Sequence, residues 1–87
     1  MQYPAETMAK AVRLQEAGDA AEAESLLRQE VAARPSDIDA SYRLAVLLMH
    51  DGRFDESAEK YEAVLDLDPR HGPSLTNLGT VLQAQGR

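Results

Sequence analysis

The segment Ile38–Pro69, IDASYRLAVLLMHDGRFDESAEKYEAVLDLDP, decides the fold because its turn residues recur along the chain at a fixed distance. Three glycines and two prolines share a spacing of 34 residues: Gly18, Gly52 and Gly86, and Pro35 and Pro69. A repeat of that length is typical of stacked helical hairpins.

The apolar residues between these turns follow a helical period, as Phe54, Ala58, Tyr61 and Leu65 do at spacings of three and four. Glycine just past a helix end adopts the left-handed conformation cheaply, and proline stops a helix because it lacks the N–H donor. The sequence therefore predicts five helices and no strand: Pro4–Ala17, Ala20–Arg34, Ile38–Asp51, Asp55–Asp68 and Pro73–Gln85.

Local signals support these boundaries. Asp19 with Glu22 is a candidate capping pair, Ser36 or Asp37 is placed to cap the third helix, and Pro73 suits a first helical turn. Three pairs of opposite charge at i,i+4 spacing are expected to support exposed helix faces. They are Glu6 with Lys10, Glu24 with Arg28, and Glu56 with Lys60.

The columns of this repeat carry a family resemblance. Large, small, turn, aromatic, aromatic and proline residues stand where the tetratricopeptide repeat family has them: Leu44, Ala45, Gly52, Phe54, Tyr61 and Pro69. The chain resembles that family over nearly its full length. The resemblance implies an all-α, helical-hairpin solenoid with a right-handed superhelix, in a single domain of residues 1–87. Repeat one would span 4–37, repeat two 38–71 and a half repeat 72–87. Thr7, Lys10 and Glu30 depart from the pattern, which is typical of a terminal repeat with a solvated outer face.

Composition and charge exclude several classes of function. A net charge of −6 disfavours nucleic acid as a partner, and only Arg43 and Arg53 are expected near a binding groove. The absence of cysteine excludes disulfides and thiolate chemistry. His50 and His71 lack the spacing of a helical metal pair. We therefore expect no enzyme activity, catalytic residue, cofactor or metal, and a cytoplasmic chain that does not insert into membranes.

The resemblance implies a groove lined by the first helix of each repeat, in which a protein or peptide ligand lies. The residues mapped to it are Met8, Val12, Tyr42, Arg43, Val46, Met49, His50, Thr76, Asn77 and Thr80. Val46 and Met49 suit core packing and groove lining equally, whereas Tyr42 and Arg43 favour exposure. Family members that clamp chaperone carboxylates use Lys, Asn and Arg in five columns, which here hold Met8, Val12, Arg43, Pro73 and Asn77. No such clamp is expected.

The last helix offers a second candidate surface, for self-association: Leu75, Leu78, Val81 and Leu82. Only part of this apolar face can pack on the preceding hairpin, so we expect another copy to cover it or the native chain to continue beyond Arg87. The leading function is a non-catalytic adaptor or scaffold that binds a peptide or protein segment. The alternative is a self-association module, or the N-terminal part of a larger protein whose activity lies elsewhere. The sequence does not name the partner.

Overall fold

The computed structural model describes residues 9–11, 13 and 18–86. Four helices have defined bounds: α1 Ala20–Ala33, α2 Ile38–His50, α3 Phe54–Leu67 and α4 Gly72–Ala84. Residues 9–11 and 13 are also helical, whereas the rest of the predicted first helix lies outside the described residues, and so do Glu6 and its predicted ion pair. Every predicted end of α1 to α4 is within one residue of the observed one. The described residues contain no strand, and no helix among them is long and apolar enough to cross a membrane.

The turn at Gly52 ends α2 as the repeat pattern predicts. Gly52 has a φ of +78°, and the N–H of Arg53 donates to the carbonyl of Leu48 at 2.9 Å. That bond spans five residues and satisfies a carbonyl that the helix end leaves unpaired. Gly18 and Gly86 share the left-handed conformation, so the 34-residue spacing marks one conformation three times.

Two of the three predicted signals for helix starts are confirmed. The carboxylate of Asp37 accepts from the N–H of Ala40 at 3.0 Å, and Pro73 lies in the first turn of α4. The prediction for Asp19 is wrong, because its side chain makes no capping hydrogen bond. With φ −93° and ψ 58°, Asp19 lacks the extended backbone that aims a capping side chain at the first turn.

Helix α2 lies at the centre of the fold and contributes to two core clusters. The first contains Ala11, Ala23, Leu27, Ala40, Leu44, Leu47 and Leu48, and the second contains Ala45, Ala58, Tyr61 and Val81. This helix carries six consecutive apolar residues, Leu44–Met49, which is more than one helix face can hold. The length of the run follows from the position of α2, which faces neighbouring helices on more than one side.

Glu30 is buried, which contradicts the expectation that it belongs to a solvated outer face. Its exposed fraction is 4%, and one carboxylate oxygen, Oε2, has no hydrogen-bond partner. Burial raises the pKa of Glu30, the neighbouring Asp37 raises it further, and Arg34, at 3.1 Å, opposes the shift. The prediction failed because neighbouring helices enclose this side of α1. Comparing one position between repeats does not reveal how the helices pack.

Four charged side chains form a closed ring between α1 and the start of α3. Arg28 contacts Glu24 and Glu56 at 2.7 Å each, and Arg53 contacts Glu24 at 2.7 Å and Glu56 at 3.1 Å. The predicted Glu24–Arg28 pair is confirmed, whereas Glu56 contacts these two arginines instead of Lys60. Arg53 is thus engaged within the fold and is not a free cation at a groove.

Candidate protein-interaction surface

The first helices of two successive hairpins, α2 and α4, are joined by a side-chain contact. Asn77 Nδ2 on α4 donates a 3.4 Å hydrogen bond to Tyr42 Oη on α2, across 35 positions of sequence. The structure thus brings together two residues that the sequence assigned to one groove. We call Tyr42, Val46, Met49 and Asn77 the central patch.

Tyr42 is half-buried, and not freely exposed as the sequence favoured. Its ring centroid lies 6.1 Å from that of Tyr61 and 5.1 Å from that of His71, in tilted arrangements that aromatic pairs prefer. These contacts fix the ring in place. Its partly exposed face forms a rigid wall of the central patch.

The floor of the central patch is continuous with the core. Tyr61 is fully buried, and its hydroxyl contacts Met49 Sδ at 3.7 Å. Burial raises the pKa of Tyr61 from its ordinary value of 10.0 to about 12. Val46 and Met49 are half-buried and pack against the second core cluster. The core interpretation of these two residues is therefore confirmed, whereas their role in lining a groove stays a prediction.

Polar residues flank the central patch. Arg43 is half-buried, with its Nε 3.8 Å from the carboxylate of Asp39, and this nitrogen has no hydrogen-bond partner. His50, Thr76 and Thr80 are exposed, and Thr80 Oγ1 donates to the carbonyl of Thr76 at 3.3 Å. The remaining predicted groove residues, Met8 and Val12, lie outside the described residues.

His71 supports the surface from one end, a role that sequence reasoning missed. Its Nδ1 accepts from the N–H of Ser74 at 3.3 Å and lies 2.8 Å from the Ser74 hydroxyl oxygen. The imidazole therefore caps α4 while its ring packs on Tyr42. Histidine is not among the preferred N-cap residues, so its identity did not indicate a cap. The sequence indicated a helix start here only through the Gly72 and Pro73 that follow it.

The predicted self-association residues divide into two groups. Leu75 is 52% exposed, and Leu78 and Leu82 are half-buried. Val81 is fully buried in the second core cluster, so its assignment to an outer face is wrong. It lies on the side of α4 that packs against α3, which helix periodicity alone did not separate from the open side.

A cleft of about 470 Å³ lies beside the Gly52 turn, but its charged groups are paired: Arg53 in the ion-pair ring, and Asp55 with Gln85. Within the described ranges, no cluster of His, Asp and Glu could hold a metal ion. The central patch brings together four of the ten predicted groove residues: Tyr42, Val46, Met49 and Asn77.

Comparison with known proteins agrees with the hairpin fold. A family model described as "Tetratricopeptide repeat" matches residues 8–71. The chain belongs to the tetratricopeptide repeat family. Among solved structures it resembles "First TPR of Spaghetti (RPAP3) bound to HSP90 peptide SRMEEVD", with a TM-score of 0.90 and 25% identity. That match covers 98% of this chain and 68% of the other, and it confirms the predicted solenoid of helical hairpins.

Two curated relatives are similar in sequence to part of this tetratricopeptide repeat chain. Protein O-mannosyl-transferase TMTC1 of Homo sapiens and that of Mus musculus are each 40% identical over 58 residues, which is 67% of this chain. The chain spans only 7% and 6% of their lengths. The likeness therefore concerns a small segment of much larger proteins.

Proposed function

We propose that this chain is a non-catalytic protein-interaction module that binds an extended segment of a partner protein across α2 and α4. The observation that carries the proposal is the central patch, where the Tyr42–Asn77 contact joins two helices beside half-exposed Val46 and Met49. Support also comes from the similar solved structure, which is described as bound to an HSP90 peptide. Proteins of the tetratricopeptide repeat family generally act by binding other proteins.

The chemistry of the patch favours a neutral, apolar ligand segment. Tyr42, Val46 and Met49 supply apolar surface, and methionine adapts readily to different side chains. Asn77 and the Tyr42 hydroxyl are placed to bond a ligand backbone. The cation Arg43 flanks the patch, and it lies beside Asp39 in a chain of net charge −6. An acidic ligand would therefore meet repulsion with little compensation.

The peptide of the similar structure provides a contrasting probe. SRMEEVD has three acidic side chains, whereas the clamp columns of this chain include the uncharged Met8, Val12 and Pro73. We propose that this chain binds SRMEEVD much more weakly than it binds an apolar, neutral segment. The carboxylates would lose their charged partners without a replacement.

Selection from a random heptapeptide library, followed by calorimetric titration, tests this preference. We expect selected sequences to be neutral and rich in apolar residues, and SRMEEVD to bind at least tenfold more weakly than the best of them. Recovery of peptides with acidic C-terminal ends, or tight binding of SRMEEVD, would contradict the proposal. Each peptide is titrated until the heat signal saturates. Saturation by at least one of them shows that the protein binds peptides, so that a difference between the two reports a ligand preference.

Self-association is a second candidate function, favoured by Leu75, a large apolar side chain that is 52% exposed on α4. A further alternative is that the chain acts within a larger protein whose activity lies elsewhere, because it matches only 7% of a relative named as a transferase. In either case we propose that these residues supply contacts and no catalysis, in the cytoplasm and without a nucleic-acid partner.

A further inference from the structure

Helix α4 leaves part of its apolar surface open. The residues concerned recur at i, i+3, i+4 and i+7, and we call them the open stripe: Leu75, Leu78, Gly79 and Leu82. Leu75 and Gly79 are exposed, whereas Leu78 and Leu82 are half-buried. The stripe is continuous with the side of α4 that is fully buried against the preceding hairpin, where Ser74 and Val81 lie.

The repeat supplies an internal comparison for this surface. The same columns occur 34 residues earlier on α2, where all four residues are at most 2% exposed: Ser41, Leu44, Ala45 and Leu48. Helix α2 packs against both α1 and α3, whereas α4 packs mainly against α3. The open stripe is therefore a surface of the kind that this chain buries wherever a second helix is available.

Charge indicates which partner fits the stripe. Helix α4 contains no Asp, Glu, Lys or Arg, whereas α1, α2 and α3 all carry carboxylates. Two copies of a chain with net charge −6 repel each other least where they meet through an uncharged surface. A basic partner would find no carboxylate on α4 to hold it.

The spacing of the stripe is also self-complementary. Reversing the order of positions i, i+3, i+4 and i+7 gives the same set, so two antiparallel copies of α4 match residue to residue. Leu75 then lies opposite Leu82 of the partner subunit, and Leu78 opposite Gly79 of the partner subunit. A Cβ added at Gly79 would meet nothing within 4 Å, which leaves room for the opposing leucine.

We infer that two copies of this chain pair through their open stripes, with antiparallel α4 helices related by a two-fold axis. This inference rests on the proposed self-association and is independent of peptide binding at the central patch. It assigns Gly79 to the centre of the contact. It also leaves Val81 in the core of each subunit.

Sedimentation equilibrium of the chain and of two lysine variants tests the contact. Gly79→Lys places a charge at its centre and is compatible with the helix, because lysine is a better helix former than glycine and the site is open. Ala84→Lys is the matched control, on an exposed position of the same helix. Both variants lower the net negative charge equally, so a difference between them is not one of total charge.

We expect the native chain and Ala84→Lys to shift from 9.5 kDa towards twice that mass as concentration rises to the millimolar range, and Gly79→Lys to stay monomeric. A native chain that is monomeric throughout would overturn self-association itself. Association that survives Gly79→Lys would overturn only the inferred pairing. Circular dichroism of each variant establishes that the helices are intact.

Cysteine cross-linking tests the antiparallel orientation directly, since the chain has no cysteine of its own. Leu75→Cys and Leu82→Cys are prepared separately, mixed and oxidised. The pairing predicts a mixed disulfide in the mixture and little covalent dimer from either variant alone. In an antiparallel pair, the same position in the two subunits is separated by seven residues of helix, which is too far for a disulfide. Predominant like-with-like disulfides would overturn the antiparallel register.

Discussion

The Ser57 hydroxyl donates a 2.7 Å hydrogen bond to the main-chain carbonyl of Ala45. Both residues are fully buried, so the bond pairs a polar side chain that water does not reach. The Ser57 side chain can reach the backbone of α2 at this point because the residue there, Ala45, has a small side chain. The Ala45 column therefore sets the distance between α2 and α3.

Replacing Ala45 with leucine should consequently destabilise the fold. The added atoms have no space beside Ser57 and Tyr61, and overpacking of a filled core costs about 1–3 kcal/mol. Urea unfolding followed by circular dichroism measures the loss. Ala63→Leu, at an exposed position of α3, is the control and should change the free energy of unfolding little. Equal effects of the two substitutions would remove the argument for close packing at Ala45.

Glu30→Gln should raise the stability of the chain at neutral pH. Burial raises the pKa of Glu30 in the folded state, so its ionisation works against folding once the pH exceeds the ordinary value of 4.5. The neutral amide avoids that cost, although it gives up the ion pair with Arg34. The gain should therefore be present at pH 7 and shrink below pH 4.5.

Thermal unfolding of Glu30→Gln across this pH range measures the effect. Glu62→Gln removes a carboxylate from an exposed position of α3 and serves as the control for total charge. If Glu30→Gln lowers the unfolding temperature at pH 7 while the control does not, the ion pair with Arg34 outweighs burial.

His71→Ala should weaken the start of α4. Loss of the acceptor for the Ser74 N–H costs about 1 kcal/mol, as at other helix N-caps. His71→Asn restores a capping acceptor but not the ring that packs on Tyr42. Comparing the two variants by hydrogen exchange at the first turn of α4 separates the two roles. Identical protection in both would show that capping by His71 is not what holds this turn.

The helices and turns were predictable because they depend on local signals that the repeat presents several times. Gly52 ends α2 and Asp37 begins it through residues only a few positions away. The wrong predictions concern burial and pairing between helices. Val81 and Glu30 are buried by neighbours whose approach the periodicity does not specify.

The candidate surface was predictable to a similar extent. Family columns placed Tyr42 and Asn77 in one groove, and their contact supports that grouping. The distribution of basic residues led us to expect Arg53 near the groove, whereas it binds Glu24, 29 positions earlier. The distance between two such groups depends on how the helices cross, which no short stretch of sequence encodes.

The affinity of a selected peptide for the variant carrying both Tyr42→Ala and Arg43→Ala tests the central claim most directly. Calorimetric titration should show a loss of about 2 kcal/mol or more, since truncating an aromatic and an arginine at a binding surface has effects of that size. Arg70→Ala, at an exposed position that is not part of the central patch, should bind like the native chain. Circular dichroism should show an intact helical signal in both. Unchanged affinity in the double variant would contradict the assignment of the partner site to α2 and α4.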